Sequence, residues 1–297
     1  MGTTASMTTR PRPAKPEPEP LGPDSLTWKW FGDLSGVLFV PRVGILENMH
    51  PELGAGVEYH SNVLADPYDR LLRSLPPIYG VVYDGPRAHE TAVMVRGFHT
   101  EIRGTDGKGR KYNALHPWTF YWAHATFFEG IIRGAEFYGR PFSEAQKRQL
   151  YDEHVQWWRL YGMPMGPVPP SWEDWKRYWQ QQLTEVLEET KAARDLLDSA
   201  TEMSPKWLPD SAWRVAGWPL RSGWRRLTIG LLPPEAREVL GCGWSSKDEV
   251  ALRALGHALG EAWRFAPQRV RYHPRALAGF ERERRRATEA PRESAAA

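Results

Sequence analysis

Residues 117–138 read PWTFYWAHATFFEGIIRGAEFY, and this stretch decides the fold class. Aromatic, isoleucine and alanine residues fill most of its positions, so a helix formed here would be apolar on nearly every side. Such a helix lies in the centre of a protein. Pro117 suits the first helical position, where its missing N–H group costs nothing. The stretch therefore predicts a buried central helix against which the rest of the chain packs.

Amphipathic periodicity on both sides of this stretch predicts further helices. Ala88, Ala92 and Val95 recur on one face, which predicts a helix from Arg87 to Gly104. Other predicted helices cover residues 68–75, 143–161 after a capping box, 172–198, a short segment from 233 and 246–264. No strand-rich block is visible. The sequence predicts an all-α, single multi-helix globular domain of roughly ten helices.

Composition sets the expected limits of this domain. Residues 1–20 are rich in proline, lysine and glutamate, which predicts a disordered arm. The foldable domain is expected at 21–275. Residues 276–297 alternate arginine with glutamate, and we expect a disordered charged tail there.

Charge and cysteine content exclude several classes of protein. The 39 basic and 36 acidic side chains leave a net charge of +3, which gives no argument for nucleic-acid binding. A single cysteine, Cys242, excludes an internal disulfide and any cysteine cage for a metal. The chain has no run of about 18 apolar residues and no leader-like start, so neither a membrane span nor secretion is expected. We therefore expect a cytoplasmic protein.

Common catalytic motifs are absent, and the remaining chemistry centres on histidine, arginine and aromatic residues. His99 lies on the same apolar stripe as Val95 and Ile102, with Arg96 one turn earlier. Histidine can hold haem iron and arginine can bind haem propionates. A lone histidine on an apolar face is more often a core residue, however. The residues alone leave both interpretations open.

Short segments follow one another in a fixed order along most of the chain. They are Met49-His50-Pro51, Gly56-Val57, His60-Ser61, Asp66-Pro67, Arg70-Leu71, Arg73-Ser74, Arg96-x-x-His99, Arg103-Gly104, Tyr112-Asn113-Ala114, Trp122-x-His124-Ala125-Thr126, Trp172, Leu231-x-Pro233, Leu240-Gly241 and Trp244-Ser245. In this order and spacing they resemble the family of MpaB-type oxygenases and latex-clearing rubber oxygenases. The resemblance covers about residues 21–270.

This resemblance implies an all-helical fold that holds one b-type haem. The histidine of the family's Arg-x-x-His segment is the iron ligand, and it falls here on His99. Arg96 would then bind a haem propionate or a neighbouring helix end. His124 and Thr126 would line or support the cofactor pocket.

The family also places an Arg-x-x-Lys-Thr segment near the opposite face of the haem. Its counterpart here is Arg70-x-x-Arg73-Ser74, so Arg70, Arg73 and Ser74 are the catalytic candidates. Arg73 and Ser74 would donate hydrogen bonds to the oxidant. Arginine cannot act as a base as lysine can, and this departure argues against rubber cleavage.

The resemblance predicts a haem-dependent oxygenase that acts on a small organic substrate, such as an isoprenoid or a secondary metabolite, with dioxygen or peroxide as oxidant. Two alternatives remain at this point. One is a non-catalytic helical haem-binding protein, and the other is a haem-free scaffold in which His99 is a core residue. The sequence leaves the substrate, the oxidant, the type of oxidation, partner proteins and the oligomeric state open.

Overall fold

A computed structural model of the chain describes residues 18–60, 67–199 and 217–289, and for residues 67–73 and 218–221 it describes the backbone. The helices are α1 Leu26–Trp30, α2 Val40–Met49, α3 Pro51–His60, α4 Pro67–Tyr83, α5 Ala88–Gly97, α6 Pro117–Phe137, α7 Glu144–Leu160, α8 Trp172–Gln181, α9 Lys191–Ser199, α10 Trp218–Leu231, α11 Pro234–Val239, α12 Ser246–Trp263, α13 Gln268–Arg271 and α14 Pro274–Glu289. Short 3₁₀ helices cover Leu34–Phe39 and Gly85–Arg87, and a π-helical turn covers Gln182–Val186. In these ranges the one sheet is an antiparallel pair, β1 Arg103–Thr105 with β2 Lys111–Asn113. The predicted helical fold class is confirmed.

Helix α6 is the buried central helix that the sequence predicts. Tyr121, Trp122 and Ala125 on this helix are fully buried. Helices α2 and α7 pack against it. Arg42 of α2 and Glu129 of α6 form a buried ion pair, with Nη1 and Oε2 2.6 Å apart. A buried charge needs such a partner, so this pair ties α2 to α6.

Helix α5 ends earlier than the sequence predicts. It stops at Gly97 instead of Gly104, and residues 98–102 continue in tighter turns before β1 begins. The backbone N–H of His99 donates to the Arg96 carbonyl, while its Nδ1 lies 2.9 Å from the Val95 carbonyl oxygen. The side chain thus takes the acceptor that the backbone of an α-helix would use. His99 lies just after the helix and not within it.

The predicted helix over 172–198 is interrupted. Helix α8 passes into the π-helical turn, and α9 starts only at Lys191. Between them, the Glu188 N–H donates to the Met49 carbonyl, and the Thr190 hydroxyl donates to the Asn48 carbonyl at 2.5 Å. Hydrogen bonds to the end of α2 therefore hold the segment between the π-helical turn and α9 in place.

The prediction of a disordered tail from residue 276 is wrong as far as Glu289. Helix α14 covers Pro274–Glu289 and packs against α4. Its contact face uses Ala276, Gly279 and Phe280, and the Phe280 ring lies 5.7 Å from that of Trp28. The predicted arm lies outside the described residues as far as residue 17, and so do residues 290–297. None of the helices in the described ranges is long and apolar enough to cross a membrane.

Candidate functional site

A cavity of about 880 Å³ lies among α2, α3, α4 and α6. This volume is typical of pockets that hold cofactors and small molecules. Most of its wall is apolar, and Phe120, Ala123, Phe127 and Ile131 supply it at helical spacing along α6. Because the lining glycines, among them Gly130 on α6, carry no side chain, they widen the space between the helices. The cavity can take a large, mainly apolar molecule.

His99 lies on the wall of this cavity, at the turn that follows α5. Its Nδ1 donates to the Val95 carbonyl at 2.9 Å. The Phe120 ring stands edge-on to the imidazole, with centroids 5.5 Å apart. Donation from Nδ1 places the ring lone pair on Nε2, the tautomer that a metal-ligating histidine needs.

His124 also lines the cavity, and a second histidine that the sequence analysis missed stands beside it. The rings of His124 and His154 stack 4.2 Å apart, and His124 Nε2 donates to the His154 carbonyl at 3.2 Å. Burial lowers the pKa of His124 to about 3, and it lowers the pKa of His154 well below its usual value. Both rings are therefore neutral. His124 thus makes a buried hydrogen bond to the facing helix α7 while it also lines the cavity.

Thr126 supports the cavity without lining it. Its hydroxyl lies 2.7 Å from the Ala123 carbonyl and 3.1 Å from Oε1 of Glu47. Glu47 itself lines the cavity from α2. Its carboxylate is a possible proton acceptor that the sequence analysis missed. Its only sequence signal is its position directly after the apolar run 43–46.

Arg96 does not line the cavity, and its guanidinium caps the C-terminal end of α7. Its Nη1 donates to the Tyr161 carbonyl at 2.8 Å and to the Gly162 carbonyl at 3.3 Å. These carbonyls follow the last turn of α7, where a cation is favourable. Of the two roles predicted for Arg96, the structure contains the helix-end role.

The three catalytic candidates lie on α4. Ser74 is exposed and lines the cavity, so it lies at the rim, where the cavity opens to the surface. Arg70 and Arg73 belong to the part of α4 for which the backbone is described, within the turn before Ser74. The structure therefore brings Ser74, His99 and His124 to one cavity, and it places Arg96 and Thr126 behind its walls.

The side chains that the structure describes include no group of three or more His, Cys, Asp or Glu placed to hold a metal ion. An iron held mainly by a porphyrin needs only an axial side chain from the protein. Three of the described histidines line the cavity, His60, His99 and His124. The hydrogen bonds of His60 and His124 use Nε2, to the Tyr112 hydroxyl and the His154 carbonyl, whereas His99 bonds the Val95 carbonyl through Nδ1.

Comparison with known proteins gives one match. The family model described as ER-bound oxygenase mpaB/B′/rubber oxygenase, catalytic domain, matches residues 28–261. No curated protein and no solved structure matches the chain. The matched range contains every described residue that lines the cavity.

Proposed function

We propose, from the premise that this chain belongs to the family of mpaB/B′ and rubber oxygenase catalytic domains, that it uses a b-type haem held by His99. The family is one of oxygenases, so the chain is an oxygenase-type enzyme. One observation carries the haem assignment. His99 lines the large apolar cavity with its Nδ1 bonded to a backbone carbonyl, which directs Nε2 to the role of ligand.

The residues present fit a haem in several respects. The cavity is large enough for a flat macrocycle, and its wall is mainly aromatic and aliphatic. Among the described lining residues there is no arginine or lysine. Arg70 and Arg73, which precede Ser74 at the rim, are the cations that we assign to the haem propionates or to the oxidant. Arg96 is not part of this proposal because its guanidinium serves the end of α7.

The chain's own groups would serve the reaction in three ways. When bound, the haem supplies the iron at which dioxygen or peroxide reacts. Ser74 donates a hydrogen bond at the rim, and Glu47 accepts a proton within the cavity. His124, neutral at every physiological pH, supports the wall and carries no proton to the reaction.

The apolar wall favours a small organic substrate with a hydrocarbon body, such as an isoprenoid or a secondary metabolite. Arginine at position 73 argues against the reaction of rubber oxygenases, as above. Of the two non-catalytic alternatives, neither is supported by membership of an oxygenase family. A cytoplasmic location remains a prediction from the sequence.

The proposal is tested with protein expressed with a supply of haem precursor. We expect a Soret band in the absorption spectrum, and we expect consumption of dioxygen or of peroxide when isoprenoid alkenes are added. Mass spectrometry of the products then identifies the bond that is oxidised. A purified protein without a Soret band would overturn the haem assignment, whatever activity it shows.

A further inference from the structure

We propose that Trp158, Tyr121, Trp175 and Trp172 form an aromatic path that carries single electrons between the cavity and the protein surface. These four side chains are of the two types, tryptophan and tyrosine, that one-electron oxidants attack most readily among aromatic residues. The inference rests on the proposed function for its oxidant. The transfer itself can be tested without haem.

The path begins one ring away from the cavity. Phe120, which lines the cavity and borders His99, has its ring centroid 5.8 Å from that of Trp158. The Trp158 and Tyr121 centroids are 5.1 Å apart. Both side chains are fully buried. An electron therefore needs to cross only the Phe120 ring to pass from Trp158 to the cavity.

The path continues along one face of α8. Trp175 is connected to Tyr121 through two further rings. The Trp175 centroid lies 4.7 Å from that of Phe128, the Phe128 ring stacks on His154 at 4.6 Å, and the His154 centroid lies 5.5 Å from that of Tyr121. Trp175 and Trp172 stack with centroids 5.2 Å apart and planes 13° from parallel. Trp172 is 6% exposed, and the ammonium of the exposed Lys176 lies 5.5 Å from its ring. The path thus ends where a donor in solution can approach.

Core packing explains why these rings are buried, but it does not require the polar partners that they have. The Tyr121 hydroxyl and Nε2 of His154 share a hydrogen bond of 3.0 Å. The Trp172 indole N–H donates to the Glu144 carboxylate at 3.2 Å. An oxidised phenol is a strong acid, so even a histidine whose pKa is depressed by burial can take its proton. The carboxylate of Glu144 favours positive charge on an oxidised Trp172.

The electron and proton balance closes with one donor and one oxidant. A peroxide-derived oxidant in the cavity gains one electron from Trp158, and Tyr121 refills Trp158 while its phenolic proton moves to His154. Trp175 then reduces Tyr121, and the proton returns to the phenol oxygen. Trp172 reduces Trp175 and is itself reduced by a one-electron donor in solution such as ascorbate. The path would thus reduce the oxidant in the cavity when no organic substrate is bound.

The test places a photo-oxidant at the surface end of the path. In a Cys242→Ser background, Lys176→Cys is labelled with a ruthenium tris-bipyridine complex, and a flash with an external quencher removes one electron from Trp172. We expect the absorption of a tyrosyl radical to follow, because the path leads to Tyr121. The signal should fall to background in Tyr121→Phe and in Trp175→Phe. It should persist in Trp28→Phe, a change of the same size at a fully buried tryptophan outside the path.

Equal radical yields in Tyr121→Phe, Trp175→Phe and Trp28→Phe would overturn the path. Tyr121→Phe and Trp175→Phe interrupt the path at two different residues, so one poorly folded variant cannot decide the result. The circular dichroism spectrum of each variant is compared with that of the parent protein. Haem content is measured on the same preparations. A protein that transfers the electron but never binds haem would overturn the proposed function and leave the path in place.

Discussion

At the scale of single residues, Glu47 is the acidic group on a cavity wall that is otherwise mainly apolar. If it accepts a proton during turnover, Glu47→Gln removes that capacity while keeping size and hydrogen-bonding shape. We expect kcat to fall by about 100-fold, the lower range for loss of a general base, with haem content unchanged. Steady-state kinetics and the absorption spectrum measure both. Glu58→Gln, an exposed change on α3, is the control, and equal kcat values for the two variants would contradict the assignment.

The residues of the site differ in how far the sequence predicts them. His99 can be proposed because the ordered family segments frame it, although its periodicity alone does not separate a ligand from a core histidine. Glu47 and His154 could not be proposed in this way. Their roles depend on contacts across helices, with Thr126 and with Tyr121, and no local pattern encodes such contacts.

At the scale of elements, α12 approaches the end of α6 through glycine. A Cβ atom at Gly256 would clash with the Phe137 carbonyl oxygen, so Gly256→Ala must push α12 away. We expect the free energy of unfolding to fall by about 1–3 kcal/mol, as for other overpacked contacts. Gly223 on α10 has no atom within 4 Å of such a Cβ. Gly223→Ala should therefore raise the free energy of unfolding by about 0.5–1 kcal/mol. Denaturation with urea measures both, and changes of the same sign would contradict this packing.

Helix boundaries show why some elements are predictable and others are not. The start of α7 is encoded locally, since Ser143 and Gln146 form the capping box that the sequence predicts. The end of α5 depends on the His99 side chain reaching the Val95 carbonyl. The break before α9 depends on carbonyls of α2. Periodicity alone continues the helix in both cases.

At the scale of the whole molecule, burial of neutral histidines makes stability depend on pH. Burial lowers the pKa of His50 to about 4 and that of His124 to about 3, whereas a histidine in the unfolded chain has its ordinary pKa of 6.5. As pH falls below about 6.5, the unfolded chain therefore binds protons that the folded protein refuses, and stability is lost. The expected loss is about 1.4 kcal/mol per pH unit for each such histidine. In His124→Phe the slope of unfolding free energy against pH should be smaller by one histidine, and an unchanged slope would contradict this account.

The C-terminal segment is the part of the molecule where composition misleads most. Its charged residues predict a tail, but α14 needs only a narrow stripe, Ala276, Gly279 and Phe280, to pack against the core. Arg275 strengthens the contact, with Nε 2.8 Å from Oδ1 of Asp84 at the end of α4. Arg284, Arg285 and Arg286 on the remaining face are exposed to solvent. A low average hydropathy therefore does not exclude a packed helix.

The measurement that tests the central claim most directly is the absorption spectrum of His99→Ala beside that of His89→Ala. Both histidines are half-buried near α5, and each has Nδ1 bonded to a backbone carbonyl, but only His99 lines the cavity. We predict that His89→Ala keeps the haem content and Soret band of the parent. His99→Ala should lose most of the bound haem, and added imidazole should restore part of it. Full haem content with an unchanged spectrum in His99→Ala would contradict the claim that His99 holds the iron.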